Sequence, residues 1–169
     1  MKRPVSNNTR VLAIDPYSRG FGFVVMEGKD EVIDWGLKIW RLEAGDRNAW
    51  CLKHAGRLID LYQPGVIVLE NTQGKSSRRG LRVQALIKAM LAVALEHKIR
   101  IRKFAPSDIR SAFASVGTPT KHQIALEIAR RLPELAVRTP RNRKPWMSED
   151  ARMSIFDAAA LALAYFRPK

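Results

Sequence analysis

Residues 11–27 read VLAIDPYSRGFGFVVME. Val11–Ile14 is an unbroken apolar run, as a strand buried on both faces carries, and it ends on an acid, Asp15, followed by a proline. Gly20–Glu27 and Glu31–Trp40 read as two further strands, joined by the turn Gly28-Lys29-Asp30. Links this short imply an antiparallel meander. Asp46–Tyr62 has helical spacing, with Trp50, His54, Leu58 and Leu61 near one stripe, and Gln63-Pro64-Gly65 stops it. Val66–Leu69 is a second continuous apolar strand, and it too ends on an acid, Glu70. A helix over Leu81–His97, an alternating strand over Ile99–Phe104 and helices over Ser107–Ser115, Thr120–Arg131 and Ser148–Phe166 complete the chain. Strand–helix–strand steps require parallel crossovers. The pattern predicts an α/β fold: a mixed five-stranded sheet, three antiparallel strands and then parallel ones, flanked by helices. The 169 residues suit one domain, placed at 10–169 behind a flexible N-terminus at 1–9.

Charge narrows the function classes. Thirty Lys and Arg face sixteen Asp and Glu, a net charge of +14, which points to a polyanionic partner. A single cysteine, Cys51, excludes an internal disulfide and a cysteine zinc site. No apolar run reaches the roughly 18 residues of a membrane span. The opening MKRPVSNNTR lacks the apolar core of a secretory signal. A cytoplasmic location and no membrane partner are expected.

Three carboxylates stand in apolar surroundings. Asp15 ends VLAI, Glu70 ends VIVL, and Asp157 lies inside SIFDAAALALAYF, a helix apolar almost all round. A lone ionised carboxylate in such a place is costly unless it is paired or bound to a metal. The carboxyl ends of parallel strands meet along one sheet edge, where open α/β folds bind their ligands. A helix packed across the sheet brings Asp157 to the same edge. Carboxylates gathered at one point repel each other and call for divalent cations, and hard oxygen donors suit Mg²⁺ or Mn²⁺. With a basic surface, the matching chemistry is metal-assisted phosphodiester cleavage, one ion activating water and a second stabilising the leaving oxygen.

The motifs themselves carry a likeness. IDPYSRGFGF at 14–23, VIVLEN at 66–71, FAPSDIRSAFASVGTPTKHQIA at 104–125 and DAAALALAY at 157–165 together resemble, in order and spacing, the RuvC family of Holliday-junction resolvases within the ribonuclease H-like superfamily. The resemblance runs from Val11 to Phe166. It implies a ribonuclease H-like fold, with Asp15, Glu70 and Asp157 as ligands of two Mg²⁺ ions for which Mn²⁺ substitutes. It also implies a homodimer that nicks two strands of four-way-junction DNA in recombination and repair. Lys121 matches a family lysine near the scissile phosphate.

Three departures stand out. Tyr17 replaces the glycine that follows Asp-Pro, and Gln73 stands where bacterial members often carry an aromatic. Ser154 stands three residues before Asp157, where the family usually has an acid or a histidine. Asp150, seven residues before Asp157, shares its helix face about 10.5 Å back along the axis and is the expected fourth ligand. Glu149 and water are the alternatives.

Two basic segments flank these elements. Lys75, Arg78, Arg79 and Arg82 follow Glu70, and Arg138, Arg141, Arg143 and Lys144 precede the last helix. Both are read as phosphate contacts. Trp146 reads as a hydrophobic staple, with base stacking as the alternative. The helix with Ala85, Met90 and Ala94 is a candidate dimer surface, and core packing explains its pattern as well. The expected function is a metal-dependent endonuclease that resolves four-way junctions. The alternatives are a related nuclease acting on RNA, flaps or forks, or a catalytically weak DNA-binding protein.

Overall fold

The computed structural model describes residues 9–73 and 78–168. The expected flexible N-terminus falls outside these residues except for Thr9, and so does Lys75. Five strands form one sheet: β1 (Arg10–Tyr17), β2 (Gly20–Glu27), β3 (Val32–Ile39), β4 (Val66–Glu70) and β5 (Arg100–Phe104). Their order is β3-β2-β1-β4-β5. The first three pair antiparallel, and β4 pairs parallel to both β1 and β5. This is the mixed sheet that the sequence pattern predicts. Strand β1 runs on through Asp15 and Pro16 to Tyr17, past the expected stop. Its ladder to β4 covers only Val11–Ala13, so Pro16 lies where one edge is unpaired, as a proline within a strand requires. The β2–β3 turn depends on Gly28, whose φ of +88° suits glycine.

Alternation sorts the strand residues into two cores. Val11, Ala13, Val24, Met26, Val66 and Val68 face α4 (Lys121–Arg131) and α5 (Met153–Phe166). Leu12, Ile14, Phe23, Val25, Ile67 and Leu69 face α1 (Arg47–Tyr62) and α2 (Leu81–Glu96). The short helix α3 (Pro106–Ala112) links β5 to α4. Helix α1 starts on Asp46, which accepts a hydrogen bond from Ala49 N at 2.7 Å, and ends at Gln63 in the left-handed region. Helix α4 starts on a reciprocal box: Gln123 N donates to Thr120 Oγ1 at 3.2 Å and Thr120 N to Gln123 Oε1 at 2.8 Å. That box fixes Lys121 in the first turn.

Three sequence expectations need correction. The buried stripe of α1 is Cys51, Ala55, Leu58 and Ile59, while Leu61 is 69% exposed. In α2, Met90 and Ala94 are core residues and so no dimer surface, while Ala85 is exposed. The last helix begins at Met153, not Ser148, because the Asp150 carboxylate takes the Arg152 N–H at 2.9 Å and closes a tight turn ahead of the helix.

One close approach holds α5 on the sheet. A Cβ at Gly22 would stand 2.3–2.6 Å from the backbone of Ser154 and Ile155. Glycine is therefore required for α5 to lie this near β2. Gly22→Ala is expected to cost about 1–3 kcal/mol by forcing the helix outward. Thermal unfolding followed by circular dichroism reads this as a fall in Tm of roughly 2–4 °C for each kcal/mol.

Candidate active site

Asp15 and Glu70 reach the same place by register. The β1–β4 ladder pairs Ala13 with Val68, and each acid stands two residues further along its own strand. Two residues is one side-chain period, so both carboxylates leave the sheet on the face that carries α5. Asp15 is 2% exposed, and Glu70 is half-buried.

Arg79 stands between them. Its Nη2 donates to Asp15 Oδ1 at 2.5 Å, its Nε to Glu70 Oε2 at 2.7 Å, and its Nη1 to the carbonyl of Pro16 at 2.9 Å. The Asp15 charge, aided by Glu70, holds the guanidinium proton more firmly than usual, against the effect of burial. The expected reading of Arg79 as an open phosphate contact is therefore corrected: its fork is committed to the two acids. Arg82 is committed as well, to Asn48 Oδ1 at 2.7 Å and to the carbonyls of Tyr17 at 3.0 Å and Ser18 at 3.3 Å. It pins the end of β1 rather than facing outward.

Helix α5 brings the third acid. Ser154, in its first turn, is buried and accepts the Gly22 N–H at 2.8 Å. Its hydroxyl lies 2.6 Å from the Asp15 carbonyl and 2.8 Å from Asp15 Oδ2, and donates to either. Asp157 follows three residues later on the same helix face. Lys121 bridges Asp157 Oδ2 at 2.9 Å and Glu149 Oε1 at 2.6 Å. Burial and the nearby Asp15 charge push the Asp157 carboxyl up to about 7, with Lys121 pulling the other way. Burial disfavours the Lys121 charge, but Asp157 and Glu149 outweigh it and raise its pKa.

The expected fourth acid behaves differently. Asp150 precedes α5 and so does not share a helical face with Asp157. Its carboxylate is forked onto Arg152, with Nη2–Oδ2 at 2.6 Å, and this bond keeps its pKa below the usual range. Glu149 is the neighbour that Lys121 draws towards Asp157. Among the described residues, no three His, Cys, Asp or Glu side chains converge as a ready metal cage. The acids are joined instead through the cations Arg79 and Lys121. The donors are nevertheless the hard oxygens that suit a divalent ion, and Arg79 already holds positive charge between two of them.

Of the other expected contacts, Arg78, Arg141, Arg143 and Lys144 are exposed. Arg143 Nη1 donates to the Met147 carbonyl at 3.2 Å, and the Lys144 ammonium lies 5.3 Å from the Trp146 ring centre. Trp146 is 78% exposed, so it is no staple. Sequence reasoning missed the hydroxyl of Ser154 as a partner of Asp15. The available signal was a polar residue inside an otherwise apolar helix.

No protein-family model matches the chain. The crossover junction endodeoxyribonuclease RuvC of Akkermansia muciniphila is 30% identical over 132 residues, which are 75% of this chain and 78% of that protein. Among solved structures, Thermus thermophilus RuvC in complex with a Holliday junction substrate superposes with a TM-score of 0.65 at 17% identity, covering 92% of this chain and 91% of that one. The yeast mitochondrial Holliday junction resolvase Ydc2 superposes with a TM-score of 0.66 at 17% identity, covering 96% and 80%. The structural likenesses bear out the ribonuclease H-like α/β fold.

A pH dependence follows from Asp157. Its folded-state pKa lies above the unfolded value of about 3.9, so between the two the folded protein keeps a proton that the unfolded chain has lost. Stability from this group therefore falls as pH rises from about 4 towards about 7, and is level above. In EDTA, Asp157→Asn is expected to raise Tm relative to wild type by an amount that grows across that window. A Tm difference that does not vary with pH would contradict the assignment.

Proposed function

Since the chain belongs to the RuvC family of crossover junction endodeoxyribonucleases, we propose that it resolves four-way DNA junctions by hydrolysing phosphodiester bonds at the Asp15–Glu70–Asp157 site. The observation that carries this reading is the meeting of Asp15 and Glu70 at matched ends of parallel strands, with α5 bringing Asp157 to the same face. Divalent-metal dependence goes with the family. Asp15, Glu70 and Asp157 would hold the ions, two Mg²⁺ per site with Mn²⁺ as substitute, and these supply water activation and charge stabilisation at the leaving oxygen. Glu149 is the nearer candidate for a further ligand, because Asp150 is engaged by Arg152.

The chain's own groups have separable tasks. Ser154 orients Asp15 through its hydroxyl, and Gly22 lets Ser154 come close enough to do so. Lys121, half-exposed beside Asp157, carries an ammonium suited to the negative charge of the scissile phosphate. Arg78, Arg141, Arg143 and Lys144 contact phosphates further along the DNA, in keeping with the net charge of +14. One site cuts one strand, so paired nicks require two copies of the chain, and a homodimer is the matching assembly.

The purified protein is incubated with a synthetic four-way junction, a fork, a duplex and an RNA–DNA hybrid, each with Mg²⁺, Mn²⁺ or EDTA. Paired symmetric nicks confined to the junction and lost in EDTA are expected. Cleavage of only forked or RNA-containing substrates, or tight binding in EDTA with no cut under any condition, would overturn the reading. Asp15→Asn, Glu70→Gln and Asp157→Asn are each expected to abolish cutting, by at least a hundredfold, while junction binding persists. A variant that cuts at the wild-type rate removes its residue from the site. Arg78→Ala is expected to weaken binding to every DNA shape and to lower the slope of log K against log salt by about one.

A further inference from the structure

A second feature lies beside the acid site, on the far side of the β1–β2 turn. The turn residues Ser18 and Arg19, the end of β3 and the short helix Leu42–Ala44 enclose an open cleft of about 670 Å³. Trp40 lines it. The Arg47 guanidinium lies 4.4 Å from the Trp40 ring centre. Both members of this stack are held: Trp40 Nε1 donates to the Gly45 carbonyl at 3.0 Å, and Arg47 Nη1 to the Ser18 carbonyl at 2.7 Å. Leu42, also in the lining, is 80% exposed. Arg19 and Arg41 are exposed and form no ion pair with a carboxylate of the described residues. Glu43 is the one acid in the lining, against three arginines.

The cleft, through Ser18 and Arg19, and the acid site, through Asp15 and Pro16, share one stretch of backbone. Successive carbonyls at the end of β1 are held by arginines: Pro16 by Arg79, Tyr17 by Arg82, and Ser18 by Arg82 and Arg47. Ser18 lies three residues beyond Asp15, which puts the two at most about 11 Å apart, a span of a few nucleotides. A strand whose phosphate sits at the acids therefore reaches the cleft within a few nucleotides.

We propose that this cleft binds a nucleotide of unpaired DNA next to the scissile phosphate, its base stacked with the Trp40–Arg47 pair and its phosphates on Arg19 and Arg41. An ordered aromatic–guanidinium stack beside unpaired cations is the chemistry that single-stranded nucleic acid takes. Within a duplex both faces of a base are covered by its stacked neighbours, so the cleft selects unstacked, unpaired nucleotides. The inference rests on the DNA-cleaving reading above and adds a subsite to it.

The test is fluorescence anisotropy of a labelled oligothymidine and a matched duplex with the full chain in EDTA. Trp40→Ala is expected to weaken single-strand binding about tenfold and duplex binding much less, while Trp40→Phe keeps most of the affinity. The Arg19→Ala/Arg41→Ala double variant, which alters only exposed side chains, is expected to lower the single-strand salt slope by about 1.4. Photocrosslinking of a 5-iododeoxyuridine oligonucleotide to the wild-type chain is expected to map to Trp40 by mass spectrometry. Unchanged single-strand affinity in both Trp40→Ala and the double variant, crosslinks only elsewhere, or a cleft that captures an acidic peptide but no oligonucleotide would overturn the proposal. If wild type cuts junctions yet these variants change nothing, the cleft alone is refuted. If wild type neither binds nor cuts DNA, the reading it rests on falls too.

Discussion

Two carboxylates at matched ends of adjacent parallel strands repel one another unless positive charge lies between them, and much of this structure follows from that constraint. Asp15 is almost wholly buried, so water does little to screen it. Arg79 answers the constraint with a planar fork that bonds Asp15 and Glu70 at once, a geometry a lysine does not reproduce. Lys121 sets a single ammonium, not a fork, between Asp157 and Glu149. The site is thus a lattice of alternating charge. Any divalent ion that enters does so in competition with two side-chain cations already in place.

The second constraint is distance between layers. Asp157 belongs to a helix, and its position depends on how near that helix lies to β2. Gly22 removes the side chain that would hold α5 away, and Ser154 uses the space to bond both Gly22 and Asp15. Packing and electrostatics are joined here: moving the helix outward breaks the Ser154 contacts and carries Asp157 away from Asp15. Burial under this helix, with the Asp15 charge close by, pushes the Asp157 carboxyl up.

Much of this was legible in the chain. Asp15 and Glu70 announce themselves because an acid ending an unbroken apolar run has no cheap place to go, and the short links after β1 and β2 specify the meander. Asp157 is legible as a charge inside an apolar helix. What was not legible depends on contacts remote in sequence or on local competition. Ser154 meets Gly22 across 132 positions, and no spacing rule signals that. Asp150 reads as part of a helix that starts at Ser148, and the Arg152 guanidinium and N–H draw it into a turn instead. Arg79 and Arg82 sit in a run of basic residues that composition assigns to DNA, yet their reach allows them to fold back onto β1. Exposed Arg78, beside them, retains the expected character.

The claim at the centre is that the positive charge between Asp15 and Glu70 is exchangeable: an arginine in the arrangement seen here, a divalent ion during catalysis. Titration of Mn²⁺ into the protein, with unbound Mn²⁺ followed by electron paramagnetic resonance, addresses it without any reaction. Arg79→Ala removes the competing cation, and Glu70→Gln removes one of the two acids. Mn²⁺ binding several-fold tighter than wild type in Arg79→Ala, and at least tenfold weaker in Glu70→Gln, is the predicted result. Mn²⁺ affinity equal to wild type in both variants would contradict the claim and place the metal elsewhere.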